Sequence, residues 1–177
     1  MNKIILINGP GGAGKTTASI LLAKKFKRSA VIEADEIRLM IKSGYKSPFT
    51  KAGQAQLELS TKNACLLAKA FADEGFDVII DDCTTGKKRL DLYYKTLKKY
   101  RFLIILLLPT RSIVKKRDGQ RTGSAKLGKQ GLTLYDKFIK RLPEEKRWVV
   151  LDNSNLTPAQ TVLKMSRIIK LNLKKKA

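Results

Sequence analysis

Lys3-Ile4-Ile5-Leu6-Ile7-Asn8-Gly9-Pro10-Gly11-Gly12-Ala13-Gly14-Lys15-Thr16 decides how the chain is read. Its first half is a short apolar run with the length of a buried strand, and from Gly9 onward it follows G-x-x-x-x-G-K-[ST], the phosphate-binding loop. Each part has a physical task. The strand anchors the loop, and the glycines let backbone N–H groups turn inward with no Cβ in the way. The helix that begins near Gly14 directs its positive end at the same point. Lys15 then reaches the β- and γ-phosphates and the Thr16 hydroxyl ligates Mg²⁺, with Thr17 beside it in the phosphate-binding set. The helix-forming stretch from Thr16 to Phe26 (TTASILLAKKF) supplies the context the motif requires. A nucleoside triphosphate is the expected ligand.

Outward from the loop, strands and helices alternate. Residues 14–26 read as a helix, 29–33 as a second strand ending at Ala34-Asp35, and 36–43 as a short helix followed by a loop over 44–49. A long amphipathic helix is expected over 51–74, closed by Gly75. A third strand over 77–82 (DVIIDD), a basic helix over 87–100 and a fourth strand over 101–108 come next. Then follow a helix over 111–118, a segment over 119–131 rich in Gly, Ser and Lys, a helix over about 132–142, a fifth strand over 148–151 and a last helix from Thr157. Near-continuous apolar strands alternating with helices predict a parallel sheet covered on both faces, a three-layer αβα domain spanning residues 1–177. Ligands bind such sheets at the carboxyl ends of the strands. Here those ends carry the phosphate loop, Asp35, Asp81-Asp82 and Asp152-Asn153-Ser154.

Composition narrows the function classes. The chain of 177 residues carries 37 Lys and Arg against 15 Asp and Glu, a formal charge of +22. An acidic partner fits this charge: ATP, and nucleic acid as a further option. Equally, lysines scattered over solvated faces account for it, with only Lys174-Lys175-Lys176 forming a run. Two well-separated cysteines, Cys65 and Cys83, and no histidine exclude His-based catalysis and a zinc site, and they point to a reducing cytoplasm. A strand starting at residue 3 leaves no room for a signal peptide, and the longest apolar run, residues 102–108, is too short for a bilayer. A monomer or a homodimer is compatible with all of this.

Phosphoryl transfer asks for a metal, cations on the transferring group and something to orient the acceptor. Asp81 ends an apolar strand as a Walker B aspartate does and is expected on Mg²⁺ with Thr16. Asp82 either shares that task or reaches the acceptor. Asp35 stands where a carboxylate can take the proton of an acceptor hydroxyl, or where it caps the helix from Glu36. Arg38 lies three residues on, able to bind an acidic acceptor group or to clamp Asp35. Arg117 and Arg121 flank the entry to the glycine-rich segment, which reads as a lid over residues 117–131 carrying cations to the triphosphate.

The combination GPGGAGKTT, VIEADEIR, DVIIDD, RDGQR and VVLDNS, in this order, resembles the small P-loop kinases. It is most similar to the chloramphenicol-phosphotransferase-like and polynucleotide-kinase-like members, the zeta-toxin or AAA_33-like group. The resemblance covers nearly the whole chain. It implies a five-stranded parallel sheet of order 2-3-1-4-5, ATP as donor and a hydroxyl as acceptor. By the same similarity Asp35 is the acceptor-side carboxylate, Arg117 and Arg121 are lid arginines, and Asp152-Asn153-Ser154 lies near the adenine. The acceptor region over residues 36–74 includes Tyr45, Lys46, Phe49 and Gln54, of which Tyr45 and Phe49 join Arg38 as candidate substrate contacts. A small-molecule alcohol leads as acceptor. A polynucleotide 5′-hydroxyl, a nucleoside monophosphate and a non-catalytic NTP-driven switch are the alternatives.

Overall fold

A computed structural model describes residues 2–123 and 126–174. Ser124 and Ala125 of the expected lid, and Lys175 and Lys176 of the tail, lie outside the described residues.

Five strands, β1 (Lys3–Asn8), β2 (Ser29–Glu33), β3 (Asp77–Asp81), β4 (Arg101–Leu107) and β5 (Trp148–Leu151), form one parallel sheet of order β2-β3-β1-β4-β5. This is the expected fold. The helices are α1 (Lys15–Ala23), α2 (Ala34–Leu39), α3 (Lys51–Asp73), α4 (Lys87–Leu97), α5 (Arg111–Gly119), α6 (Lys129–Arg141) and α7 (Pro158–Lys174). The pleat divides the strand residues between two cores. On one face Ile4, Leu6, Val78, Ile80 and Ile104 pack with Ala64 and Ala68 of α3, Tyr93 of α4 and Phe138 of α6. On the other, Ile5, Ile7, Ile79 and Ile105 meet Ala18 and Leu22 of α1 and Val162, Met165 and Ile169 of α7. Register follows from this sorting. In the central pair Ile5 stands beside Ile79 and Leu6 beside Ile80, so a one-residue slip would exchange the two cores.

Local chemistry sets the helix ends. Thr50 Oγ1 accepts the Gly53 N–H at 3.0 Å and starts α3. Gly53 is required there, because a Cβ would come within 1.9 Å of the Ser47 carbonyl oxygen. Thr157-Pro158-Ala159-Gln160 forms a capping box in which Gln160 N–H donates to Thr157 Oγ1 at 3.2 Å and Thr157 N–H to Gln160 Oε1 at 2.9 Å.

Two boundaries differ from the sequence expectation in ways that matter for the site. Helix α2 begins at Ala34 rather than Glu36, with Glu33 at its cap, so Asp35 lies inside the first turn and does not cap it. Helix α6 begins at Lys129 rather than about Leu132, which shortens the glycine-rich segment to residues 120–128. Among the described residues no helix is long and apolar enough to cross a membrane.

Candidate active site

Strand β1 delivers the phosphate loop, and Asn8 fixes where it leaves the sheet. The fully buried Asn8 side chain donates to the Thr84 carbonyl at 2.8 Å and accepts the N–H groups of Gly9 and Thr84, each at 2.9 Å. It therefore ties the start of the loop to the chain leaving β3. Gly14 caps α1 in the left-handed region (φ 87°), a conformation that favours glycine. Lys15 Nζ donates across the loop to the Pro10 carbonyl at 3.3 Å.

Thr16 Oγ1 donates to Asp81 Oδ2 at 2.6 Å, which joins the two expected metal ligands across 65 positions of sequence. Burial raises the Asp81 carboxyl above its ordinary pKa, and the Lys15 ammonium and the Thr16 hydroxyl offset only part of that. Burial alone would lower Lys15. Acidic groups around it, the Cys83 thiol and the carboxylates of Asp81, Asp35 and Asp82, outweigh the burial and hold its pKa above 10.5. Cys83 itself is pushed up to about 11 by burial, so its thiol is neutral at physiological pH. Glu33, paired in register with Asp81, is also raised, first by burial and then by Asp81. One half-buried cation, Lys15, thus faces a concentration of carboxylates. A hydroxyl and a carboxylate oxygen in contact are hard donors that suit Mg²⁺, so these residues fit the ion implied by the phosphate loop.

Asp35 lies in the first turn of α2, directly after β2. Its effect on Lys15 and Asp81 places it within their electrostatic reach. Its only side-chain bond within the described residues is to Arg38 Nη2, at 3.3 Å, and its side chain is 68% exposed against 10% for Arg38. Arg38 is held from its other side by a hydrogen bond from Nη1 to the Tyr45 hydroxyl, with the Tyr45 ring centroid 5.1 Å from the guanidinium carbon. Gln56 pins the Tyr45 loop through Lys46 N–H and the Gly44 carbonyl, both at 2.8 Å. Phe49 is 49% exposed near the start of α3 and is not part of this constellation.

Asp82 occupies a different position from the one expected. Its oxygens accept from Arg89 Nη2 at 2.8 and 2.5 Å, from the Tyr93 hydroxyl at 2.8 Å and from the Cys83 N–H at 2.6 Å. Arg89 Nε also donates to Thr61 Oγ1 of α3 at 2.8 Å, so the pair sits inside the core and links β3, α3 and α4. The carboxylate that reads from sequence as an acceptor contact is fully engaged by the protein. Arg89→Met would leave it buried and unpaired. We expect that substitution to cost about 3–5 kcal/mol in urea unfolding, and a loss within error of zero would show that Asp82 is not held as an ion here.

The segment expected as a lid starts on α5. Arg117 Nη2 donates to the Asn153 carbonyl at 3.2 Å, and Asn153 Nδ2 to the Ala13 carbonyl at 2.9 Å, so α5, the loop after β5 and the phosphate loop form one contact chain. Asp152 and Ser154 instead bond each other, and Ser154 Oγ accepts the Thr110 N–H at 2.7 Å. Arg121 lies beside Gly11 and 3.9 Å from Asp118 Oδ1. Asp118 was not singled out by sequence, yet its two oxygens accept the N–H groups of Leu127 and Gly128 at 3.1 and 2.7 Å and fold residues 126–128 back over the phosphate loop. A Cβ at Gly11 would meet Leu127 Cδ1 at 2.6 Å, which shows how closely Leu127 approaches the phosphate loop. Asn8 and Arg89 were likewise unremarked. A polar residue ending an apolar strand was the available signal for Asn8, whereas nothing local marked Arg89.

The family model described as AAA domain, AAA_33, matches residues 4–130. The chain belongs to this AAA domain family. No curated protein matches it by sequence. Among solved structures, this AAA_33 chain is similar to a sugar kinase from Janibacter sp. HTCC2649 at 18% identity and TM-score 0.72, covering 96% of this chain and 95% of that one. It is similar to the tunicamycin resistance protein of Deinococcus radiodurans at 19% identity and TM-score 0.69, with 96% of each chain covered. Shikimate kinase from Acinetobacter baumannii aligns at 17% identity and TM-score 0.67, over 97% of this chain and 95% of that one. At such identities the AAA_33 chain shares the P-loop kinase fold with these proteins.

Proposed function

We propose that the chain is an ATP-dependent phosphotransferase that moves the γ-phosphoryl group to a hydroxyl of a small-molecule acceptor, on the chloramphenicol-phosphotransferase-like side of its family. One observation carries the reading. The Thr16 hydroxyl meets the Asp81 carboxylate at the phosphate loop, and the Asp35 carboxylate is among the groups that raise the Lys15 pKa.

In this reading Asp35 accepts the proton of the acceptor hydroxyl as its oxygen bonds to the γ-phosphorus. The bond to the β–γ bridging oxygen breaks, and ADP leaves with that electron pair. The backbone of residues 9–14 cradles the phosphates, with Thr16 and Thr17 opening α1 beneath them. Lys15, Arg117 and Arg121 offset charge on the transferring group. Thr16 Oγ1 and Asp81 Oδ2 would hold Mg²⁺, which supplies further charge neutralisation at the β- and γ-oxygens. The Asp152-Asn153-Ser154 loop borders the adenine, and we leave Asp82 out of the acceptor set because its oxygens are taken by Arg89, Tyr93 and Cys83 N–H.

The charge of +22 favours a second acceptor class, a polynucleotide 5′-hydroxyl. A transfer screen separates them: γ-³²P-ATP is offered with sugars, nucleosides, apolar alcohols and 5′-hydroxyl oligonucleotides at rising salt. Label on a small alcohol, with a rate nearly indifferent to salt, is the expected result. A rate that collapses with salt on oligonucleotides alone assigns the polynucleotide role. ATP hydrolysis that no alcohol alters would place the chain among NTP-driven switches instead.

A further inference from the structure

Helices α1 and α7 cover one face of the sheet, and their charge sets them apart. Among the described helices, α2 to α6 each carry at least one carboxylate, whereas α1 and α7 carry none. The gap reaches beyond the helices, since residues 9–32 and 153–174 contain no Asp or Glu. Exposed cations stand in this layer: Lys24, Lys25 and Lys27 just past α1, and Lys164, Arg167 and Lys170 on α7. None of these makes an ion pair or a side-chain hydrogen bond among the described residues. Lys164 reaches one carboxylate, Asp152, which is held low first by Ser154 and least by Lys164. On the opposite layer cations are answered. Lys87 Nζ lies 2.8 Å from Asp91, Lys88 Nζ 2.7 Å from Glu58 and Arg111 Nε 3.1 Å from Asp136. The high net charge alone does not produce this division.

The same layer exposes aliphatic side chains among its cations. On α7, Val162, Met165, Ile169 and Leu173 are buried against the sheet, and Leu163, Arg167, Lys170 and Leu171 recur at helical spacing on the outer face. Leu163 is 55% and Leu171 67% exposed, with Arg167 midway between them. On α1, Ile20 is 45% exposed and lies one turn before Lys24. A lone exposed leucine needs no explanation. Here the two helices pack side by side, so their cations and aliphatic groups front one plane.

The chemistry of this plane separates two polyanions. Single-stranded nucleic acid is gripped by aromatic side chains on which bases stack. Residues 15–28 and 158–174 hold one aromatic, Phe26, which packs against the sheet and has Lys3 Nζ 5.3 Å from its ring centroid. An anionic bilayer is gripped by cations at the lipid phosphates and by aliphatic groups at the headgroup boundary. The layer supplies both. We propose that the α1–α7 layer docks on an anionic membrane surface, its cations on lipid phosphates and Ile20, Leu163 and Leu171 among the headgroups. Ligands reach sheets of this kind at the strand ends, so docking through the helical layer leaves that edge clear.

Cosedimentation of the full chain with vesicles tests the surface. Vesicles of phosphatidylcholine alone are compared with vesicles of phosphatidylcholine and phosphatidylglycerol in equal parts. The chain should bind the anionic vesicles and not the neutral ones. Arg167→Glu with Lys170→Glu should weaken that binding by about tenfold or more. Lys95→Glu with Lys98→Glu on α4 makes the same change in net charge on the opposite layer and should leave binding within about twofold of the parent. Leu163→Ser with Leu171→Ser should weaken binding several-fold with the charge unchanged. Circular dichroism checks that each variant is folded, and every substituted position is exposed.

That pattern upholds the proposal. No binding to anionic vesicles, equal binding to neutral ones, or equal losses from the α7 and α4 charge reversals would each overturn it. Binding indifferent to the serine pair also overturns it, since charge attraction alone would then suffice. Fluorescence anisotropy with labelled oligonucleotides decides the rival. Oligonucleotide binding lost on reversing Arg167 and Lys170, with no vesicle binding, assigns the layer to nucleic acid and removes the membrane.

Discussion

Lys15→Ala should lower phosphoryl transfer and ATP hydrolysis by about 10³-fold or more, the scale on which a single cation acts upon a transferring phosphoryl group. Lys15 is the first residue of α1, with its ammonium directed back across the loop at the Pro10 carbonyl. Steady-state turnover with γ-³²P-ATP checks the effect, and turnover within a few-fold of the parent would remove Lys15 from the phosphate cradle. The substitution has a second signature. The Asp81 carboxyl is already raised by burial, and Lys15 is the strongest group pulling it down. Without Lys15 its folded pKa rises further. A carboxyl raised on folding contributes stability below its ordinary value of 3.8, and that contribution is lost as pH climbs through the folded pKa. The variant should therefore keep its fold but lose more Tm relative to the parent at about pH 7.5 than at about pH 4. A Tm difference that does not change with pH would deny the coupling between the two side chains.

Asp35→Asn should lower kcat by about 10² to 10⁴, the range for a lost general base, with ATP affinity changed little. The geometry explains why the two quantities should separate. The Asp35 side chain bonds Arg38, whereas the Thr16–Asp81 contact sits at the phosphate loop. Asparagine keeps the shape and a hydrogen-bonding oxygen towards Arg38 but cannot take a proton. A structural role would show itself differently. Helix α2 is capped at Glu33, and Asp35 adds only a negative charge in the first turn, so the stability loss should be a few tenths of a kcal/mol to about one. ATP binding by equilibrium dialysis and transfer to the best acceptor make the comparison. Equal losses in both would sink the base assignment.

Much of the fold was legible because it is written locally. The apolar runs of β1 and β4 are near-continuous, as strands buried on both faces must be, and the loop after β1 has a spacing that few other structures use. Thr16 and Asp81 could be paired in advance, since each belongs to a recognisable strand-end pattern. Boundaries were less legible. The sequence placed the start of α2 at Glu36, yet Ala34 is drawn into the helix because its carbonyl is held by Ser60 of α3, a contact made 26 residues away.

The residues that sequence misjudged or passed over are those whose role depends on a distant partner. Asp81 and Asp82 are neighbours with the same side chain, and the pleat sends them to different surroundings: one to the Thr16 hydroxyl, the other to Arg89 and Tyr93 in the interior. Asp118 looked like the end of a helix until its oxygens met the N–H groups of Leu127 and Gly128. The sequence by itself determined the parallel αβα sheet, the phosphate loop and the strand ends around it, because hydrophobic period and turn chemistry act within a few residues. Only the tertiary structure decided which aspartate at the end of β3 meets the Thr16 hydroxyl and which is neutralised in the core. Those outcomes follow from packing between elements far apart in the chain, which no local pattern encodes.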